Sequence, residues 1–216
     1  CNYDPEMYLD DGSCEYDCLI NGDDMLELNA TGGLPDGNSP QYNGEYARIN
    51  QLEHIDEFSV GGRFILYDTS GFGALLQHKE TGNAGEGWLL GFDNGVPRIL
   101  FINEGNIHGV NLDNYTFPIN TPIDILLTAE NNGNIKLYID RVLKLSYNTS
   151  NLYTGIDMDP FYIGHWWDGN TSSYSSMSLL ELFYSRTVIN EDSINDYESM
   201  TDDDLIFKFL FSDNEN

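Results

Sequence analysis

The sequence predicts an all-β sandwich or barrel. Short apolar runs recur along the chain from about Met25, and Asn-Gly, Asp-Gly, Gly-Asn and Pro-containing segments separate them. Within Ile135–Ile139 and Ser178–Tyr184, apolar and polar residues alternate as in a strand with one buried face. Short strands with these turn signals are typical of sandwiches and barrels. Only residues 190–198 have a helical pattern, and we expect about one or two helical turns there.

Eleven strands are predicted along the main domain. In chain order they are Tyr46–Ile49, Phe58–Tyr67, Gly73–His78, Gly87–Phe92, Arg98–Ile102, Ile123–Ala129, Ile135–Ile139, Val142–Tyr147, Phe161–Gly164, Ser178–Tyr184 and Leu205–Phe211. Asn131–Asn134 predicts a hairpin, and Asp140-Arg141 predicts the turn into the next strand. The last strand is so apolar that we expect it to be buried, because an exposed apolar edge promotes aggregation.

The chain is strongly acidic. Its 216 residues include 36 Asp and Glu against 9 Lys and Arg, a formal net charge of -27 at pH 7. This balance argues against nucleic acid as a partner, because phosphate contacts need Lys and Arg. The sequence has no apolar run of about 18 residues, so we expect no membrane insertion. The acidity fits either calcium binding or solubility alone.

All three cysteines lie near the N-terminus, at Cys1, Cys14 and Cys18. We expect Cys14 to form a disulfide with Cys1 or Cys18; the odd count leaves one thiol free or bonded elsewhere. The motif "CNYDP…DDGSCEY" in this segment resembles a repeat of large secreted and surface proteins. That resemblance implies tandem units, an extracellular location and a longer parent protein. The predicted domains are therefore residues 1–20, the Cys/Asp-rich repeat, and residues 25–216, a β-sandwich.

Several segments of the main domain match, in order, the strand motifs of one family. They are Tyr46–Ile49, Glu57–Val60, Ala74–Gln77, Asn134–Asp140, Phe161–Gly164 and Leu180–Arg186. Together they resemble the laminin-G-like domain of the concanavalin A-like lectin fold, with Arg141 where that family usually has Gly. The resemblance implies two antiparallel sheets in a jelly-roll sandwich. It also implies a Ca²⁺ site near Asp36 and Asn38, where a plain Asp-Gly turn is the alternative.

A second candidate Ca²⁺ site lies in the cysteine segment. Asp4, Asp10 and Asp11 offer hard oxygen ligands within one short loop. The alternative is again a turn, because Asp bonds its own backbone and Asp-Gly favours tight turns. Calcium is the one cofactor that the sequence suggests.

The best binding signal is the segment from Gly164 to Asn170. It places Trp166 and Trp167 in a polar, turn-rich stretch beside three polar residues, His165, Asp168 and Asn170. Flat aromatic faces stack on the apolar face of a sugar ring, and polar neighbours bond its hydroxyls. In the alternative interpretation, one Trp fills the sandwich core and the other covers it.

Catalytic signals are weak by comparison. Glu53, Asp56 and Glu57 lack the spacing of a glycosidase carboxylate pair, and we expect them in a loop. Gln77-His78 only partly resembles the glutamine-x-histidine element of alginate lyases. The four histidines show no zinc spacing. We therefore expect no catalytic site.

Three functions remain open after these observations. The first is a non-catalytic extracellular recognition or adhesion module that binds a glycan or a cell-surface ligand. The second is a structural subunit of a surface appendage, filament or viral fibre, which self-assembles through tandem or head-to-tail contacts. The third is a polysaccharide lyase or hydrolase. In each case the expected location is outside the cell, at a cell or virion surface, because the disulfide needs an oxidising compartment.

Overall fold

All regular structure among the described residues is β-strand. The computed structural model describes residues 26–28, 30–31, 43–44, 46–53, 55–79, 86–103, 106–149, 158–167, 172–189 and 205–210. In chain order the strands are β1 Leu26–Leu28, β2 Ala30–Thr31, β3 Asn43–Gly44, β4 Ala47–Glu53, β5 Phe58–Leu66, β6 Phe72–Lys79, β7 Gly87–Asp93, β8 Val96–Asn103, β9 Asn106–Asn111, β10 Pro122–Ala129, β11 Asn134–Ile139, β12 Val142–Asn148, β13 Met158–Ile163, β14 His165–Trp167, β15 Ser172–Tyr174, β16 Met177–Ser185 and β17 Leu205–Leu210.

Two antiparallel sheets form the sandwich. The seven-stranded sheet has the order β1-β16-β5-β10-β11-β12, and β17 also pairs with β16. The six-stranded sheet has the order β4-β13-β6-β7-β8-β9. Two short ribbons, β14-β15 and β2-β3, lie outside these sheets. This architecture confirms the predicted all-β, two-sheet antiparallel jelly-roll sandwich.

The main core lies between the two sheets. Alternation along each strand sends one set of side chains inward, so Trp88 and Leu90 of β7 enter the core while Leu89 faces outward. Trp88 stacks on Phe58 with ring centroids 5.1 Å apart, and it contacts Tyr184 edge-on. Aromatic rings thus fill the space that joins the two sheets.

Tight turns fix the register of the hairpins. Asp140 and Arg141 have φ values of 50° and 63°, which is the two-residue turn that suits the twist of β11 and β12. Arg141 therefore occupies a left-handed position that glycine adopts more readily than other residues. Gly133, with φ of 83°, closes the predicted hairpin between β10 and β11.

Each predicted strand overlaps an observed one. The apolar C-terminal strand is partly buried, because β17 pairs with β16 and places Phe207 and Phe209 against the core. Strand β9 was not predicted, since Asn106–Asn111 contains only two large apolar residues and is mostly exposed. The predicted helix at residues 190–198 lies outside the described residues. Within the described part of the chain, there is no helix with the length and hydropathy needed to cross a bilayer.

Candidate ligand-binding site

The β14-β15 ribbon leaves the six-stranded sheet beside a register shift in β6. Strand β13 pairs with β6 as far as Ile163 and Leu76, and β6 shifts register between Ala74 and Leu76. Gly164 follows with φ of 75°, and its N–H donates to the carbonyl of Leu75 at 2.9 Å. A positive φ suits glycine, so this residue redirects the chain away from β6 and into the ribbon.

The returning end of the ribbon is fixed to β6 and to Tyr67, which follows β5. The N–H of Ser175 donates to the carbonyl of Gly164 at 2.9 Å. The Ser175 hydroxyl donates to the carbonyl of Ala74 at 2.6 Å. The carbonyl of Ser176 then accepts from the N–H of Tyr67 at 2.9 Å. Both ends of the ribbon are therefore attached to a rigid strand, which is the arrangement that holds a binding side chain in place.

Trp166 lies on the outer face of the six-stranded sheet, the side away from the seven-stranded sheet. It is half-buried and packs, together with Phe72, on Ala74, Leu89 and Leu100. The Trp166 and Phe72 rings meet edge-on, with centroids 5.1 Å apart and planes at 68°. We call these five residues the Trp166 surface. The Trp that fills the core is Trp88.

His165 points to a different group of rings. It is only 6% exposed and stacks on Tyr46 with centroids 4.6 Å apart. Tyr162 contacts the imidazole edge-on at 5.3 Å and also lies 6.0 Å from the Tyr46 ring, so the three rings form one cluster. Burial lowers the pKa of His165 to about 4, so the ring is neutral at neutral pH. Tyr46, which is 40% exposed, covers His165 and forms the surface here.

The remaining predicted site residues cannot be placed. Trp167 belongs to β14, but its side chain lies outside the described residues. The same is true of the other predicted ligand, metal and disulfide residues, namely Asp168, Asn170, Asp36, Asn38, Asp4, Asp10, Asp11, Cys1, Cys14 and Cys18. Within the described ranges, no three His, Cys, Asp or Glu side chains come together as a metal site would need. The Ca²⁺ and disulfide assignments therefore stay predictions.

Three residues of this face were missed by sequence reasoning. Phe72 contacts Trp166, Arg98 lies over Phe72, and Tyr162 contacts His165. The Arg98 guanidinium carbon lies 5.7 Å from the centroid of the Phe72 ring. Strand alternation could have identified Arg98, because Pro97 and Ile99 on either side of it are buried.

The candidate catalytic residues that the structure describes, His78, Gln77, Asp56 and Glu57, lie in different surroundings, and the side chain of Glu53 lies outside the described residues. His78 is fully buried in the core, with Nε2 3.1 Å from the carbonyl oxygen of Leu52 and Nδ1 3.4 Å from the Tyr184 hydroxyl. It is therefore closed to substrate, while Gln77 faces the opposite side of the same strand. Asp56 and Glu57 are exposed on a bend before β5.

The fold defines the class of protein as a lectin-like β-sandwich. Solved structures with the same fold have low sequence identity to this chain. The Limulus polyphemus SAP-like pentraxin matches with a TM-score of 0.56 and 10% identity, over 78% of this chain and 80% of that one. The CBM40 of Ruminococcus gnavus IT-sialidase, bound to α2,3-sialyllactose, matches with a TM-score of 0.52 and 12% identity, over 68% and 95%.

Part of an enzyme also has this fold. The Trypanosoma rangeli sialidase matches with a TM-score of 0.51 and 15% identity, over 64% of this chain and only 22% of that one. The similarity thus spans about a fifth of the sialidase. The sequence matches no protein-family model and no curated protein. At these identities the structural matches establish the fold, and function has to be argued from the site.

Proposed function

We propose that this chain is a non-catalytic extracellular recognition module that binds a glycan through the Trp166 surface. The observation that carries the proposal is the position of Trp166. A half-buried indole lies on the outer face of a sheet, on a ribbon attached at both ends, where neither sheet-to-sheet packing nor a turn requires a large aromatic ring.

The chemistry of this surface suits a sugar. Trp166 and Phe72 present ring surface whose apolar character matches the C–H face of a pyranose. Ala74, Leu89 and Leu100 beneath them are all at least nine-tenths buried, so they form a rigid floor. A preformed apolar surface binds with little loss of conformational entropy. The sialyllactose-bound CBM40 supports the proposal, since a module of this fold binds a glycan.

A glycan array with purified protein, run with Ca²⁺ and with EDTA, tests the proposal. For any glycan that binds, Trp166→Ala should weaken binding by about 1–3 kcal/mol, the scale of burying a large apolar side chain. Trp166→Phe should retain part of the affinity. Val142→Ala is the matched control, because Val142 is an exposed apolar residue on the seven-stranded sheet.

Two results would count against this function. One is the absence of glycan binding under both conditions. The other is a Trp166→Ala variant that stays folded and binds as tightly as the parent protein, which would locate the ligand elsewhere.

A structural-subunit function is the second candidate, and the exposed sheet edges favour it. Strand β12 ends the seven-stranded sheet with Val142 53% exposed, and β9 ends the six-stranded sheet with Ile107 60% exposed. Edge strands with apolar side chains are templates for pairing with another copy. Light scattering across a concentration series distinguishes the functions. Two results together would favour the structural subunit. The wild-type protein would self-assemble and bind no glycan, and Val142→Asp or Ile107→Asp would abolish the self-assembly.

A further inference from the structure

The outer face of the six-stranded sheet carries a positive charge directly beside the Trp166 surface. Arg98 lies on β8, two residues from Leu100 and on the same side of the strand. Its cross-strand neighbours are Gly91 on β7 and Asn111 on β9. Gly109 is also close, since a Cβ there would lie 3.6 Å from Nη2 of Arg98. Gly109 therefore adds no side chain beside the guanidinium, whose aromatic neighbour is Phe72.

The hydrogen bonds of this guanidinium are incomplete. Nη1 lies 3.6 Å from the Asp93 carboxylate, a long distance for an ion pair. Nε is buried and makes no hydrogen bond within the described part of the chain. The side chain is 33% exposed, so solvent reaches the group only in part. A buried donor of a charged group is costly to leave unpaired.

Arg63 shows what the same group does when a carboxylate is available. Its Nε donates to Oδ1 of Asp124 at 2.7 Å, and its Nη2 donates to Oδ2 at 3.1 Å. This is the planar, two-bond geometry that a guanidinium forms with a carboxylate. The Nε of Arg98, by contrast, has no carboxylate or other hydrogen-bond partner within the described part of the chain.

We propose that Arg98 binds the carboxylate of the ligand, and that the ligand is therefore an acidic sugar such as a uronate or a sialic acid. This inference rests on the proposed glycan-binding function. The exposed Nη edge of the guanidinium would take the carboxylate, while Phe72 and Trp166 contact the sugar ring. Because a chain with net charge -27 repels anions, an acidic ligand needs a local cation, and Arg98 would supply it.

The test uses two pairs of probes that differ in the carboxylate. Oligogalacturonate is compared with its methyl ester, and sialyllactose is compared with lactose, by calorimetry at low salt. The wild-type protein should bind an acidic probe at least about tenfold more tightly than its neutral counterpart. Arg98→Gln should remove this preference and leave neutral-probe binding unchanged. Arg98→Lys should restore only part of it, since an ammonium lacks the planar fork.

The control variant is Arg63→Gln, which removes an arginine on the seven-stranded sheet. It should leave the preference unchanged. If Arg98→Gln keeps the preference while Trp166→Ala loses both acidic and neutral probes, the Arg98 assignment is wrong and glycan binding stands. If a sulfated probe of equal charge binds more tightly than the carboxylate, the assigned ligand class is wrong. If no probe binds, both proposals fall.

Discussion

The buried imidazole of His165 makes the stability of the fold sensitive to mild acid. Its pKa is lowered from 6.5 to about 4 by burial, so the folded protein resists protonation that the unfolded chain accepts. For a histidine with a lowered folded pKa, the stabilisation is complete above pH 6.5 and decreases as the pH falls towards 4. Between pH 7 and pH 5 this one group should lower the free energy of unfolding by about 2 kcal/mol.

The measurement is urea denaturation at pH 7 and pH 5 for the wild-type protein and His165→Phe. Phenylalanine keeps a ring against Tyr46 and Tyr162 but has no proton to gain. Between pH 7 and pH 5, the free energy of unfolding of the variant should therefore fall by about 2 kcal/mol less than that of the wild type. The other titrating groups are common to both proteins and cancel in the comparison. Equal losses in the two proteins would refute the role assigned to His165.

Three further predictions concern the core, a turn and calcium. Trp88→Ala should cost about 3–5 kcal/mol in the free energy of unfolding, and Trp88→Phe distinctly less, by urea denaturation. Gly95→Ala should cost about 1–2 kcal/mol or more, because Gly95 has φ of 80° and a Cβ would lie 2.8 Å from Thr116 Cγ2. Ca²⁺ at about 100-fold excess over its Kd should stabilise the fold by roughly 2.7 kcal/mol. A melting temperature unchanged by EDTA, or identical in Asp36→Asn and wild-type protein, would argue against the site at Asp36 and Asn38.

The fold was predictable because its strongest signals are local. Period-two alternation locates a strand without knowledge of its partner. Only Asp140 and Arg141 separate two apolar runs, and that spacing of two residues predicts a hairpin turn. Strand β9 escaped detection for the converse reason. Asn106–Asn111 is an edge strand whose pairing with β8 comes from neighbouring backbone rather than from its own apolar pattern.

The site was predictable only in part, because it combines residues that are distant in sequence. Trp166 was identified from its own loop, but its partner Phe72 is a strand residue almost a hundred positions earlier. The face that Trp166 occupies depends on the register shift in β6 and on the positive φ of Gly164. No short motif in the sequence encodes that combination. His165 belonged to the same predicted loop, yet its neighbours Tyr46 and Tyr162 bury it.

The two outer faces of the sandwich differ in a way that points to one of them for binding. On the seven-stranded sheet the chain covers its own apolar patch, because Ile189 and Leu205 pack on Phe183 and its neighbours. The N–H of Ile189 donates to the Ser59 hydroxyl at 2.8 Å, which fixes that covering segment to the sheet. On the six-stranded sheet the corresponding apolar patch is covered by Trp166, which remains half-exposed beside a charged group. A ligand that adds ring contacts there buries surface that the fold leaves open, so the six-stranded face is where binding gains most.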